Sequence, residues 1–275
     1  MVNKSRIMCI CLCTVCLLSG CQLFQTSDTD ITTEAKEKET LIIEETETET
    51  ETELKPNIEN LDELDAGTLI DLEDIQGGNV DDYFKSYPID DALFNRIYGL
   101  SYKEYCDIPL ENLSYLKVLH YGFDQQIYVG ELMVEAKLAD KFLYIFKELY
   151  LNQYEIERMF LVDNYGADDT WSIENNNTSA FNYRVSTIDG VTLSNHAFGR
   201  AIDINPIQNP YVNVYSWGLD TYHDKSTAYM DRDDPTLEHM ITHDDLCYKL
   251  FNEQGFSWGG DWTNPIDYQH FEWIE

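Results

Sequence analysis

A long acidic stretch without any aromatic residue limits where this chain can fold. Residues 28–65 are rich in Glu and Thr, and the two alternate without a break over residues 45–53. Such a stretch cannot bury enough apolar surface to offset the entropy of ordering, and its like charges favour an extended chain. We therefore expect residues 21–82 to form a disordered acidic linker. Residues 83–275 are rich in Tyr, Trp and Phe and are expected to form one globular domain.

The charge of the chain argues against one class of partner. The formal net charge is −33, and much of it lies in the acidic stretch, so it says little about the globular part. A phosphate backbone would be repelled, which argues against nucleic acid. Capture of calcium or of a basic partner is an alternative role for the repeat, but a solvated spacer is the simpler interpretation.

The N-terminus has the features of a secretory signal. Lys4 and Arg6 precede an apolar run over residues 7–18, which is too short to span a bilayer. The run closes with Leu-Ser-Gly-Cys at residues 18–21, which resembles the bacterial lipoprotein signature, in which the cysteine is acylated after cleavage. The resemblance implies a signal peptide over residues 1–20 and a lipid anchor at Cys21. The protein would then sit on the extracellular face of the bacterial cytoplasmic membrane, unless an ordinary signal is cleaved and Cys21 is incidental.

Cysteine usage argues against a disulfide framework. Four of the seven cysteines fall within the apolar run, and Cys21 is the expected lipid site. Only Cys106 and Cys247 remain for the globular part, and nothing local brings them together. Their redox state stays open.

Hydrophobic periodicity predicts a mixed fold. Residues 113–120 and 126–131 flank an aromatic turn and predict a hairpin, while apolar side chains at helical spacing within residues 134–150 predict an amphipathic helix. A second helix is expected from a cap at Thr242 to about Gln254. Further short strands are expected at residues 157–162, 256–258 and 268–273. Because helices and strands do not alternate regularly, we expect an α+β domain with a small antiparallel sheet flanked by helices.

Two histidines and an aspartate have the side-chain chemistry of a metal site. His196 and Asp203 lie seven residues apart, with Gly199 between them to let the backbone turn, and His270 follows near the C-terminus. Their nitrogen and oxygen atoms suit Zn²⁺. A hydrolytic zinc needs three protein ligands and one open position, because its bound water must reach a pKa of about 7 to attack a peptide carbonyl.

The sequence around these residues resembles the VanY-type D-alanyl-D-alanine carboxypeptidases and L-alanyl-D-glutamate endopeptidases, zinc peptidases of bacterial cell-wall stem peptides. The matching positions are Ser194, His196, Gly199, Ala201 and Asp203 in the first metal motif, Asp267 and His270 in the second, and Tyr183-Arg184, Asn209-Pro210-Tyr211 and Trp258-Gly259-Gly260-Asp261-Trp262 outside them. The similarity covers residues 179–272, so the motif-bearing part is 179–275. It implies a hedgehog-like fold with the zinc site on the sheet.

The resemblance also implies roles for individual residues. His196, Asp203 and His270 would bind Zn²⁺, and Asp267 would be the general base that takes a proton from the metal-bound water and gives it to the leaving amine. Some relatives have Glu there, and the Asp form looks more like the endopeptidase and phage-lysin branch. Glu272 is the rival base, since it lies two residues beyond His270 on a strand and would point to the same face.

Arg184 and Ser194 are the expected substrate-binding residues. The resemblance places Arg184 where the family's arginine meets the scissile carbonyl oxygen or a substrate carboxylate, and a surface ion pair is the alternative. Ser194 either orients substrate or a ligand, or only caps a turn.

A second metal face is conceivable but not expected. His239, His243 and Cys247 recur at helical i, i+4, i+8 spacing. A cap at Thr242 would place His239 before the helix begins and break this alignment.

The sequence therefore predicts an extracytoplasmic zinc peptidase that hydrolyses the D-Ala-D-Ala or the L-Ala-D-Glu bond of peptidoglycan stem peptides. A non-catalytic, zinc-containing cell-wall-binding module is the alternative, and Asp267 together with Arg184 favours the enzyme. The expected partners are stem peptides and, through Cys21, the membrane, with the chain acting as a monomer.

Overall fold

A computed structural model of the chain describes residues 61–75 and 78–274. The predicted signal peptide, the lipidation site Cys21 and the linker up to residue 60 lie outside the described residues. Within the described part, no helix has the length and apolar character needed to cross a bilayer. The strands are β1 (Leu69–Ile70), β2 (Lys85–Tyr87), β3 (Leu113–Tyr121), β4 (Ile127–Glu135), β5 (Arg158–Met159), β6 (Asn177–Thr178), β7 (Ala201–Asp203), β8 (Tyr211–Tyr215), β9 (Gly218–Thr221), β10 (Ser257–Trp258), β11 (Ile266–Asp267) and β12 (His270–Glu272). The α-helices are α1 (Leu72–Ile75), α2 (Asp91–Ile97), α3 (Ala139–Leu151), α4 (Asp169–Glu174) and α5 (Leu246–Glu253).

The predicted hairpin is the centre of the fold. β3 and β4 pair antiparallel along their whole length, from Leu113 opposite Glu135 to Tyr121 opposite Ile127. β1 and β2 extend this pair into a four-stranded antiparallel sheet with the order β1-β4-β3-β2. The hairpin prediction is confirmed, and both strands are longer than the periodicity indicated.

The predicted amphipathic helix is α3, which packs on this sheet. The side chains that it buries fully are Phe142, Ile145, Phe146 and Leu149. Phe251 of α5 meets two of these rings edge to face, with centroid distances of 6.1 and 6.5 Å. Burying one such side chain contributes roughly 1.5–3 kcal/mol, so these contacts hold α3 and α5 together. Residues 134 and 135, expected in the helix, belong to β4 instead.

The packed domain begins before residue 83. Leu61 and Ile70 are only 2% and 3% exposed, and β1 pairs with β4. The ammonium group of Lys117 donates to the backbone carbonyls of residues 61, 62 and 64. Residues 61–75 are therefore part of the packed domain, although composition assigns them to the acidic linker. A few buried apolar side chains suffice to attach a mostly acidic segment to a sheet. The average composition of the segment does not reveal them, because acidic residues outnumber them.

The second predicted helix is α5, and its N-terminal cap differs from the expected one. The Asp245 side chain accepts a hydrogen bond from the Cys247 amide, so Asp245 and not Thr242 caps the helix. Both residue types cap well, and the choice depends on where the chain turns into the helix. Gly255, with φ of +94°, follows the helix end as predicted.

Two small antiparallel sheets shape the C-terminal part. Their strand orders are β10-β12-β7 and β11-β8-β9. β5 and β6 form a short parallel pair. A mixed α/β domain with small antiparallel sheets and a few helices agrees with the expected fold class.

Candidate active site

The three residues predicted as metal ligands converge on one point. His196 Nε2 lies 3.2 Å from His270 Nδ1 and 3.3 Å from Asp203 Oδ2, and His270 Nδ1 lies 3.1 Å from Asp203 Oδ1. Both imidazoles are buried, and Asp203 is nearly so. Within the described ranges this is the one cluster of His, Cys, Asp and Glu with donor atoms close enough to share an ion.

The local fold explains how the first two residues reach this point. Ser194 caps a 3-10 helix, Asn195–Phe198, by accepting a hydrogen bond from the His196 amide. Gly199 ends that helix with φ of +68°. A Cβ on Gly199 would lie 2.5 Å from the Glu135 amide nitrogen, so only glycine allows this close approach to β4.

Strand pairing then brings in the third residue. β7 and β12 are antiparallel, and their register sets Asp203 directly opposite His270. Two residues 67 positions apart in sequence thereby become neighbours.

Hydrogen bonds behind each ring fix which nitrogen faces the cluster. His196 Nδ1 lies 2.5 Å from the Ala180 carbonyl oxygen and donates to it, which leaves the lone pair of Nε2 pointing at the cluster. His270 Nε2 lies 3.1 Å from Glu272 Oε2, which leaves Nδ1 facing the cluster. Partners of this kind orient the histidine ligands of metal sites.

The spacing fits a tetrahedral zinc ion. Ligand atoms 2.0–2.2 Å from a zinc ion at tetrahedral angles lie about 3.3–3.6 Å apart. The three observed separations are 3.1–3.3 Å. The donor set, two imidazoles and a carboxylate, is one that zinc prefers, so the residues present fit the ion.

The cluster forms part of the wall of a cavity of about 590 Å³. Besides the three clustered residues, its lining includes Arg184, Ser194, Asp267 and Glu272, so every residue predicted for the peptidase site lines one cavity. Such a volume is typical of small-molecule and peptide sites.

Asp267 is a buried carboxyl group with an unusual protonation equilibrium. Burial raises its pKa to about 7, the charge of Asp203 acts in the same direction, and His270 and Arg184 oppose the shift. Its Oδ1 atom has no hydrogen-bond partner among the described residues. Gly259 packs against this position, since a Cβ there would meet the Asp267 carbonyl oxygen at 2.6 Å. Asp267 thus offers an unengaged oxygen that can hold or release a proton near neutral pH.

The rival base, Glu272, is engaged elsewhere. It lines the same cavity, but its Oε2 accepts from Asn195 Nδ2 at 2.6 Å and contacts His270 Nε2. Burial alone would raise the pKa of Glu272, but these hydrogen bonds hold it below the ordinary value. This geometry suits a residue that orients His270 better than one that exchanges protons with a substrate.

Arg184 lies in the cavity wall and forms an ion pair with Asp169 of α4. The neighbouring segment returns beside it, because the Ser194 amide donates to the Arg184 carbonyl oxygen at 3.0 Å. The alternative expected for Arg184, an ion pair, is therefore present. Both Arg184 and Asp169 line the cavity, so this ion pair lies in the cavity wall.

The second metal face is absent from the described structure. The His239 ring stacks on Phe123, and His243 Nε2 contacts Asp261 at 2.7 Å. Both histidines precede α5, so the helical alignment with Cys247 does not form. Cys247 is buried and free, and Cys106 is partly buried and free.

Four further residues contribute to the site without having been assigned a role. Trp262 lines the cavity with its ring 5.3 Å from that of His270, and Gln269 lines it beside Asp267. Asp169 and Asn195 fix Arg184 and Glu272. Trp262 lies in a recognisable motif, and Asn195 follows Ser194 directly, but nothing in the sequence near Asp169 connects it with Arg184.

Comparison with known proteins gives one match. Residues 189–273 match a family model described as D-alanyl-D-alanine carboxypeptidase. The matched segment contains His196, Asp203, Asp267 and His270, whereas Arg184 precedes it. No curated protein and no solved structure matches the chain. Over residues 189–273 the chain is thus similar to the D-alanyl-D-alanine carboxypeptidase family, and this segment contains the three residues that the fold brings together in the His-Asp-His cluster.

Proposed function

We propose that this chain is a zinc-dependent peptidase that hydrolyses peptide bonds in peptidoglycan stem peptides. The observation that carries the proposal is the cluster of three donor atoms 3.1–3.3 Å apart in the wall of a cavity that also holds Asp267 and Arg184. The family match supports a peptidase of the D-alanyl-D-alanine carboxypeptidase type.

His196, Asp203 and His270 would hold the zinc ion on strands β7 and β12 and the adjoining 3-10 helix. When bound, zinc supplies a Lewis acid that polarises a carbonyl group and makes water acidic enough to react near neutral pH. The cavity side of the cluster leaves room for water and substrate.

Asp267 moves the proton in this proposal. With a pKa shifted to about 7, its Oδ1 accepts a proton from the attacking water and later delivers it to the leaving amine. An ordinary aspartate, with a pKa of about 3.9, would be a poor acid for the second step.

Arg184 stabilises negative charge on the substrate. Its guanidinium donates to the carbonyl oxygen as water adds, or to a terminal carboxylate of the peptide. Asp169 keeps the guanidinium in place before substrate arrives.

Two bonds are candidate substrates, the terminal D-Ala-D-Ala bond and the L-Ala-D-Glu bond. We further propose that the enzyme acts outside the cytoplasm, anchored through lipid at Cys21. Location at the membrane surface would bring the cavity to the cell wall, where both bonds occur.

Defined stem peptides incubated with the purified chain test the proposal. Mass spectrometry of the products is expected to show one released fragment, D-Ala for the first bond or L-Ala for the second, with zinc present and none after chelation. Replacing Asp267 by Asn removes the proton acceptor and is expected to lower kcat/KM by about 10²–10⁴, with bound zinc unchanged by metal analysis.

The alternative, a non-catalytic zinc-containing cell-wall-binding module, predicts a different result. Such a module would bind muropeptides and give no product with either the unmodified chain or Asp267→Asn. That outcome would refute the peptidase proposal.

A further inference from the structure

The hairpin formed by β8 and β9 carries exposed aromatic side chains beside the cavity. Tyr215 and Trp217 stack face to face, with ring centroids 4.8 Å apart and an angle of 7° between the planes. Trp217 is 72% exposed, and Tyr222, at the other end of the hairpin, is 71% exposed. Adjacent exposed aromatic rings form a contiguous apolar patch, and patches of this kind mark binding sites more often than single exposed side chains do.

The aromatic side chains form a path that starts inside the cavity. Tyr211 and Tyr222 line the cavity and stack on each other at 5.7 Å. Side chains alternate along a strand, so Tyr211, Asn213 and Tyr215 share one face of the hairpin. The distance from the first to the last of these is about 13 Å, since each strand residue rises 3.2–3.4 Å.

A polar pair lies between the two aromatic ends. Asn213 pairs with Asp220 across the hairpin, and both side chains therefore point to the same face as the aromatic rings. Residues 211–222 contain no Lys or Arg, and Asp220 is their one acidic residue. This face is unsuited to a phosphate or another anion, which the Asp220 carboxylate would repel.

The chemistry of this face fits an uncharged sugar chain. The C–H groups of pyranose rings pack against aromatic faces, whose electron density is negative, and sugar hydroxyl groups donate to an exposed carboxylate such as that of Asp220. We propose that the β8–β9 hairpin binds the glycan to which a stem peptide is attached, while the peptide enters the cavity at Tyr211 and Tyr222. The choice of glycan rests on the proposed function.

Direct binding tests the proposal without requiring turnover. Tri-N-acetylchitotriose, an uncharged oligomer of N-acetylglucosamine, is titrated into the purified chain while tryptophan fluorescence and heat are recorded. Saturable binding is expected, and Trp217→Ala should weaken it at least about tenfold through loss of the stacking surface. Trp171→Ala is the matched control, because Trp171 is also exposed, at 53%, but lies on α4 outside the cavity lining. Absence of binding, or equal loss in both variants, would overturn the proposal.

Two other occupants of this face give different results. If the face joins two copies of the chain, sedimentation velocity will show a dimer that Trp217→Ala dissociates. If it inserts into lipid, the chain will bind phosphatidylcholine vesicles in a Trp217-dependent manner. Either result would also overturn the saccharide proposal.

A kinetic comparison separates this proposal from the proposed function. The ratio of kcat/KM for a disaccharide-linked stem peptide to that for the free peptide is expected to fall about tenfold in Trp217→Ala. If the unmodified chain cleaves neither peptide, the peptidase proposal fails while the titration still decides on saccharide binding. If both peptides are cleaved and the ratio does not change, the hairpin has no role in glycan recognition.

Discussion

At the residue scale, two buried aspartates in one cavity have opposite protonation behaviour. Burial alone would raise the pKa of Asp203, but the charges and hydrogen bonds of His196 and His270 lower it far below the ordinary value. In Asp267, whose Oδ1 has no hydrogen-bond partner among the described residues, burial outweighs the opposing effects of His270, Arg184 and Gln269 and raises the pKa to about 7. One carboxylate is therefore kept ionised and suited to hold a cation, and the other is suited to proton transfer.

His270 is held between two carboxylate groups, one on each ring nitrogen. Burial alone would lower its pKa, but hydrogen bonds to Asp203 and Glu272 raise it to about 10. In the neutral form of the ring, a proton on Nε2 donated to Glu272 would leave the lone pair of Nδ1 facing the cluster.

Replacing Glu272 by Gln is expected to weaken zinc binding by about 10–100-fold, because the His270 ring loses its charged partner. Competition with a chromogenic chelator measures the affinity. Glu253→Gln, an exposed change on α5, is the matched control and should bind zinc as the unmodified chain does. Equal affinities in the two variants would show that Glu272 does not support the ligand.

At the element scale, the turn between the 3-10 helix and β7 depends on one glycine. Gly199→Ala is expected to destabilise the protein by about 2–4 kcal/mol, from a left-handed backbone and from the clash with β4. Gly166→Ala isolates the first effect, since Gly166 has φ of +65° but open space around it. Urea unfolding should show the larger loss at Gly199, and equal losses would mean that the contact with β4 contributes nothing.

β3 contains a buried histidine that predicts acid sensitivity. His120 donates from Nδ1 to the Ile156 carbonyl oxygen at 2.9 Å, and burial lowers its pKa to about 4. In the unfolded chain the pKa of His120 is about 6.5. Between pH values of about 6.5 and 4, the unfolded chain therefore binds more protons than the folded chain, and the free energy of unfolding falls as the pH is lowered.

The expected loss is on the order of 3 kcal/mol as the pH falls from about 6.5 to about 4. His120→Asn keeps a donor for Ile156 but cannot be protonated, so its urea midpoint should change less between pH 7 and 4.5. An unchanged pH dependence in this variant would assign the acid sensitivity to other groups.

Long elements were more predictable than short ones. α3 buries one side along its whole length, so its apolar residues recur at helical spacing in the sequence. The long β3–β4 hairpin is likewise predictable from the apolar residues on both sides of its turn. The strand expected over residues 157–162 is only two residues long, because Val162 already begins a 3-10 helix. Short strands are defined by their pairing partners, which no local pattern contains.

At the scale of the whole molecule, the segment before residue 83 is part of the packed domain. A chain that begins at residue 61 should be more stable than one that begins at residue 83, because the latter lacks buried Leu61, buried Ile70 and β1. Burial of the Leu61 and Ile70 side chains predicts a difference of roughly 3–6 kcal/mol in the free energy of unfolding. Chemical denaturation of both truncated chains measures it, and equal stabilities would show that this segment adds no net stabilisation.

The sequence by itself determined which residues were candidates for the site, because a metal cluster, a proton acceptor and a glycine turn require particular residue types at particular spacings. It predicted His196, Asp203, Asp267 and His270 as candidate site residues, and the fold brings them to one cavity. Only the tertiary structure decided what Glu272 and Arg184 contact, because their partners Asn195 and Asp169 are brought to them by folding. Strand register and helix packing create such pairs between residues remote in sequence, and a local pattern carries no information about them.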